Sequence, residues 1–386
     1  MSTALKRFKS WLFESRSFIF SWYRRDRHQL QEPTKTLIEL PPSLRDKLIE
    51  ATYKLTDNPS DTDAIRTAID EAFEKWRNYP QNAENSVVIL TSPVMVVSRI
   101  VITILQQWST QKQVAVDVLP WNRRPAVDSI YPDLKQYLER EASSTQTDRP
   151  QVMVIPNLSW CFLRSMDGLD GIDYLQNELL HDSSRFWIIA ADRFSWNYLN
   201  SISDIEADCG SVLSLPELTG DSLQKWLKPI SSELNISFAE PRLESKILEG
   251  DKDSETIYFE DLALVSKGVS VVALHAFLAS IQFQPFNEDK EPDKGILEAQ
   301  NPELPDLPDL TTAHHYILYF LLLHGDMTLP ALAHSIGDKQ SKVLGQIKFL
   351  RQEGLVRGEN EIFAINPIHY PKLKQELISN NFIVKD

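Results

Sequence analysis

Residues 87–108 read VVILTSPVMVVSRIVITILQQW. A short apolar run ends at Leu90, a nine-residue connection TSPVMVVSR follows, and a helical pattern starts near Ile100. Strand, connection and helix in this order are the layout of a phosphate-binding loop. Yet this connection holds neither glycine nor lysine. Glycines let backbone N–H groups curl around phosphate and lysine neutralises it, so the layout and the chemistry point in different directions.

Working outward, the same alternation recurs four times. VAVDVL (114–119) precedes a helical pattern around YPDLKQYLEREA, and VMVIPNL (152–158) precedes GIDYLQNELLH. FWIIAA (186–191) precedes FSWNYLNSI, and SVLSLPEL (211–218) precedes GDSLQKWLKPI. Five apolar strands, each followed by a helix, predict an α/β fold with a five-stranded parallel sheet in a three-layer sandwich. Ligands of such sheets sit at the carboxyl ends of the strands, which directs attention to the loops after Leu90, Ile155 and Ala191.

The α/β region is assigned to 81–221, and the flanks divide by composition. Residues 1–36 carry a basic amphipathic helix. Phe8, Trp11, Leu12, Ile19 and Trp22 fall on one half, and basic residues including Arg24 and Arg25 on the other. Such a face docks on the protein's own body or a partner, or lies on an anionic membrane surface through 1–28. Residues 37–80 and 222–283 read as helical, with Asp61 or Thr62 as a cap in the first and a lid-like subdomain in the second. Residues 284–310 hold five prolines and eight acidic residues against two lysines, the composition of an extended linker.

Residues 311–386 give three helical patterns, then VRGENEIFAIN as a hairpin turning at Gly358–Asn360, then a last helix. This order resembles a winged helix-turn-helix. In DNA-binding members the third helix enters the major groove. Here it offers Lys339, Gln340, Lys342, Gln346, Lys348 and Arg351, with Arg357 on the hairpin. Eight basic and seven acidic residues make a poor electrostatic footprint for DNA. Other proteins are therefore the first partners expected, with DNA through 311–386 held open.

A chain of 386 residues with a net charge of −14 is no general nucleic-acid coat. Cys161 and Cys209 stand far apart, giving neither a disulfide framework nor metal-ligand spacing, so no metal site and a cytoplasmic setting are expected. A peripheral place at the inner face of a membrane follows only if residues 1–28 bind lipid. His314 and His315 are adjacent on a helix and point about 100° apart, so they do not converge on one ion.

The whole order, from about residue 80 to 386, resembles the AAA+ ATPases, in particular their origin-recognition and signal-transduction (STAND) branches. The resemblance implies a first motif G-x-x-x-x-G-K-[ST]. Ser92 stands at its first glycine, Val97 at its second, Ser98 at the lysine and Arg99 at the Ser or Thr. It also implies a strand ending in Asp-Glu that anchors Mg²⁺, where this chain has Pro156 and Asn157. The polar sensor after the fourth strand falls on Asp192 or Arg193. The expectation is a pseudo-ATPase, a regulatory or scaffold protein that needs no cofactor. DNA regulation and a divergent ATP- or ADP-binding switch stay open as alternatives.

Overall fold

The computed structural model describes residues 40–79, 84–121, 123–143, 149–165, 167–241, 252–285, 295–359 and 361–383. The amphipathic helix expected at 1–36, with Phe8, Trp11, Leu12, Ile19, Trp22, Arg24 and Arg25, lies outside the described residues. Among the described residues no helix is long and apolar enough to cross a membrane. They form two compact units. One gathers Asp61–Leu215 and Leu310–Ile365, the other the described residues of Pro216–Asp309 and Asn366–Asp386 together with residues 40–60.

The first unit is built on a five-stranded parallel sheet in the order β2-β3-β4-β1-β5. Its strands are β1 (Ser86–Thr91), β2 (Ala115–Val118), β3 (Gln151–Ile155), β4 (Arg185–Asp192) and β5 (Ser211–Ser214). Every residue of β1 and β4 is buried, because helices cover both faces. Val87, Ile89, Phe186, Ile188 and Ala190 face one core with Phe73, Trp76 and Trp108. Val88, Leu90, Trp187, Ile189 and Ala191 face the other with Leu134, Leu175 and Leu199. Helices α2 (Pro59–Asn78) and α3 (Val97–Lys112) supply the first layer, and α4 (Val127–Ser143), α5 (Asp170–His181) and α6 (Arg193–Ser203) the second. Helix α2 starts at Pro59, two residues before the Asp61 or Thr62 cap expected, because proline's fixed φ and missing N–H suit a first helical position.

The second unit holds α1 (Pro42–Lys54), α7 (Gly220–Glu233), α8 (Ser254–Ser266) and α9 (Ser270–Ser280) around a shared apolar core. The segment expected to be an unpaired linker, 284–310, differs from that reading. Strand β8 (Gly295–Ala299) pairs antiparallel with β7 (Ile281–Pro285) and parallel with β6 (Ser237–Phe238). Leu297 and Ala299 are buried, so two apolar side chains on one face hold a strand inside an acidic stretch.

The region expected as one domain, 311–386, is divided. Helices α10 (Thr312–His324), α11 (Leu329–Ile336) and α12 (Gln340–Gln352) and a sheet ordered β10-β11-β9 belong to the first unit. The last helix, α13 (Tyr370–Ser379), belongs to the second. Strands β10 (Val356–Glu359) and β11 (Ile362–Ile365) form the hairpin, but the chain turns after Glu359, with Glu361 at φ 64°. A two-residue strand β9 (Met327–Thr328) adds to β11, which no sequence period could have shown.

Gly345 lies in the middle of α12 on its exposed side, and a methyl group there would meet nothing within 4 Å. Glycine in a helix interior costs about 0.5–1 kcal/mol relative to alanine. Gly345→Ala should therefore raise stability by about that amount in urea unfolding. A loss of stability would contradict the open space found in front of it.

Candidate functional site

The crevice that such a sheet offers to ligands lies beyond the carboxyl ends of β1, β3 and β4. The loop after β1 makes a single tight turn, with Met95 N–H donating to Ser92 O at 3.0 Å. None of Ser92 to Val97 takes a positive φ, so the left-handed residues that curl a phosphate nest are missing. Val97 is buried in the core under α3, while Val96, its N-cap residue, makes no side-chain cap. Ser98 and Arg99 are half-buried on the first turn of α3, and Thr103 Oγ1 donates to Arg99 O at 2.8 Å.

Beyond β3 the chain folds at once into a 3-10 turn, Leu158–Cys161. Pro156 is buried, and Asn157 caps the turn. Its Oδ1 accepts from Ser159 N at 3.1 Å and from Ser159 Oγ at 2.7 Å. Asn157 is thus a neutral amide whose oxygen is occupied by a structural cap.

Beyond β4, Asp192 caps α6. Its Oδ1 accepts from Phe194 N and Ser195 N, both at 2.9 Å, and its Oδ2 accepts from Ser195 Oγ at 2.7 Å. Burial pushes this carboxyl up to about 6, against the three hydrogen bonds that favour its charged form. Arg193 donates through Nη2 to Leu215 O, at the end of β5. Since β1 lies between β4 and β5, this side chain crosses the mouth of the loop after β1. Arg193 Nε and Ser92 Oγ are buried there without hydrogen-bond partners among the described residues.

A further cluster, which the sequence reading did not single out, lies beyond the end of β3. Arg124, only 8% exposed, donates through Nη2 to Ser159 O and to His324 O, the latter at 2.9 Å. Burial pushes its guanidinium down to about 10, partly offset by the charges of Asp326, Cys161 and Asp192. His324, the last residue of α10, is fully buried, with Nε2 accepting from Arg164 N–H at 3.2 Å. Its ring lies between Phe162 and Phe320, at 4.9 and 6.3 Å. Burial, then the charges of Arg124 and Arg164, hold its pKa well below the usual imidazole value. Trp160 Nε1 donates to Asp326 Oδ1 at 3.0 Å. The Arg164 guanidinium lies over Tyr198, Tyr319 and Phe320 at 5.3–5.9 Å. These contacts seat α10 directly beyond the end of β3.

On α12, Lys339, Gln340, Lys342, Lys348 and Arg351 are exposed. Lys342 pairs with Asp338, Gln346 is half-buried, and the His314 ring stacks on Phe349 at 4.6 Å. Arg357 is half-buried on β10. Among the described residues no cluster of His, Cys, Asp or Glu could hold a metal ion.

No protein-family model matches the chain, and no curated protein matches it in sequence. Solved structures similar to it include the Thermotoga maritima RuvB Holliday junction branch migration motor, at 14% identity and a TM-score of 0.35, covering 80% of this chain and 93% of that one. Cdc6p from Pyrobaculum aerophilum is 13% identical, with a TM-score of 0.35 and coverage of 87% and 98%. The Aeropyrum pernix ORC2 protein, in ADPNP-ADP complexes, is 11% identical, with a TM-score of 0.32 and coverage of 82% and 94%.

Proposed function

We propose that the chain is a non-catalytic regulatory or scaffold protein, an AAA+-like body with a winged-helix module that contacts other proteins. One observation carries this reading: four residues at the motif positions are committed to the chain's own structure. Asn157 caps a 3-10 turn, Asp192 caps α6, Arg193 is bonded across the loop mouth, and Val97 is core. Phosphoryl transfer depends on groups positioned for charge that develops in the transition state. A neutral, hydrogen-bonded Asn157 supplies neither a metal anchor nor a base.

DNA reading by α12 is the weaker alternative, because Lys342 is paired with Asp338 and the eight basic residues of 311–386 are nearly balanced by seven acidic ones. An anionic membrane surface remains a proposal for residues 1–28 alone, and a cytoplasmic place is proposed with it.

The test is calorimetric titration of the full chain with ATP and ADP, with and without Mg²⁺, beside a phosphate-release assay. No phosphate release above buffer is expected. Turnover that disappears in Arg99→Ala or Arg193→Ala would sink the proposal. Micromolar binding without turnover would keep the protein non-catalytic and make the crevice a ligand-gated switch.

A further inference from the structure

Residues 302–310 read Pro-Glu-Leu-Pro-Asp-Leu-Pro-Asp-Leu, three successive tripeptides of the pattern Pro–acidic–Leu. Proline fixes φ near −65°, and the residue before a proline is pushed out of the helical region. Pro302, Pro305 and Pro308, together with Asn301, Leu304 and Leu307, are thereby held extended. A polyproline II helix has three residues per turn and makes no internal hydrogen bonds. Among the described residues, no backbone hydrogen bond joins two members of this segment. A three-residue sequence period on a three-residue helix sorts the side chains into three edges.

Burial follows those edges. Leu304, Leu307 and Leu310 are all half-buried, while Glu303, Asp306 and Asp309 are all exposed. Leu304 packs against the core of the second unit, and Lys372 Nζ donates to Leu304 O at 2.9 Å and to Asp306 Oδ1 at 2.6 Å. The leucine edge is thus fastened at Leu304, its first residue. Along the proline edge, Pro302 is buried, Pro305 exposed and Pro308 half-buried. Pro305-Asp-Leu-Pro308 therefore presents the P-x-x-P spacing to solvent, with carboxylates on the adjoining edge.

We propose that Pro302–Leu310 is a docking ligand for a partner domain that reads polyproline II helices. The partner has an aromatic-lined groove that takes Pro305 and Pro308, and a Lys or Arg that meets Asp309, since Asp306 is already paired with Lys372. A preformed polyproline II segment has little entropy left to lose on binding, which is why aromatic grooves select it. The segment carries three carboxylates and no cation, which selects a basic groove and disfavours nucleic acid. A plain spacer would need only stiffness and would be indifferent to a charge change at Asp309. Nucleotide binding in the crevice has no bearing on this surface.

The experiment uses the labelled full-length protein and, as probes, a panel of purified SH3 and WW modules chosen for basic grooves. Each is titrated by fluorescence anisotropy at low and at physiological salt. Two variants accompany the wild type, Pro305→Ala with Pro308→Ala, and Asp309→Lys, which leaves the backbone restraint intact. At least one module should bind with a micromolar Kd, weakened roughly tenfold or more by each variant and by salt. Unfolding midpoints, measured in parallel, should not move for Asp309→Lys. The proposal falls if no module binds below roughly millimolar, or if binding is the same in the variants. It falls equally if the protein self-associates in sedimentation and the proline variant abolishes that, because the occupant is then a second copy of the chain.

Discussion

Replacing Arg124 by alanine should lower the stability of the protein by about 3–5 kcal/mol, the largest effect expected of a single substitution in the first unit. Its guanidinium gives hydrogen bonds to Ser159 O, 35 residues away, and to His324 O, 200 residues away. Charge-assisted bonds to buried carbonyls are worth about 1.5–3 kcal/mol each, and their loss leaves two acceptors dry. The opposing term is the desolvation of the guanidinium itself, since Nε and Nη1 find no partner among the described residues. Arg124→Met separates the two, because it keeps much of the volume and removes the charge. It should cost about half as much as alanine if the bonds and the cavity contribute comparably. Urea unfolding with both variants measures this. A loss under about 1 kcal/mol for alanine would show that the buried charge offsets its own bonds and does not hold α10 in place.

The sheet was legible in the sequence because burial on both faces forces unbroken apolar runs. Val87–Leu90 and Phe186–Ala191 read as strands for that reason and lie in β1 and β4. Strand ends were less visible. The run 152–158 holds both the strand and, from Pro156 on, the turn that leads into a 3-10 helix after Ile155. The run 211–218 likewise stops at Ser214. Strands β6 and β9, of two residues each, carry no period at all, and β8 hides in an acidic stretch because only one of its faces is apolar.

Of the site, the residue types at the strand ends were readable, but what they do locally was not. Nothing in Asn157 or Asp192 as letters separates a cap from a catalytic group; only Ser159 and Ser195, two and three residues on, hinted at caps. Arg124 escaped because its partners are distant in sequence. The one signal was a cation in a short connection after an apolar strand, where a charge has no local partner.

Acid lability is the second large effect, and His369 is the position that isolates it. Its side chain is buried beside α9, and burial, then the charge of Lys372, pushes its pKa down from 6.5 to about 4. In the fold the imidazole stays neutral, while in the unfolded chain it takes a proton near 6.5. Between about pH 6.5 and 4 the unfolded state therefore binds more protons, and stability rises with pH. The contribution is fully present above 6.5 and is lost as pH falls towards 4. That gap corresponds to about 3 kcal/mol, at about 1.4 kcal/mol per pH unit. The first unit cannot give so clean a reading. There His324, with its pKa lowered, makes stability rise with pH, whereas Asp192, raised to about 6, makes it fall over an overlapping window. In His369→Leu, a repacking penalty would move the whole curve of stability against pH, whereas loss of the titration changes its slope. Denaturant midpoints measured from pH 7 to 4 should fall less steeply for the variant. Parallel curves would mean that His369 is protonated equally in both states, and that the acid sensitivity has another source.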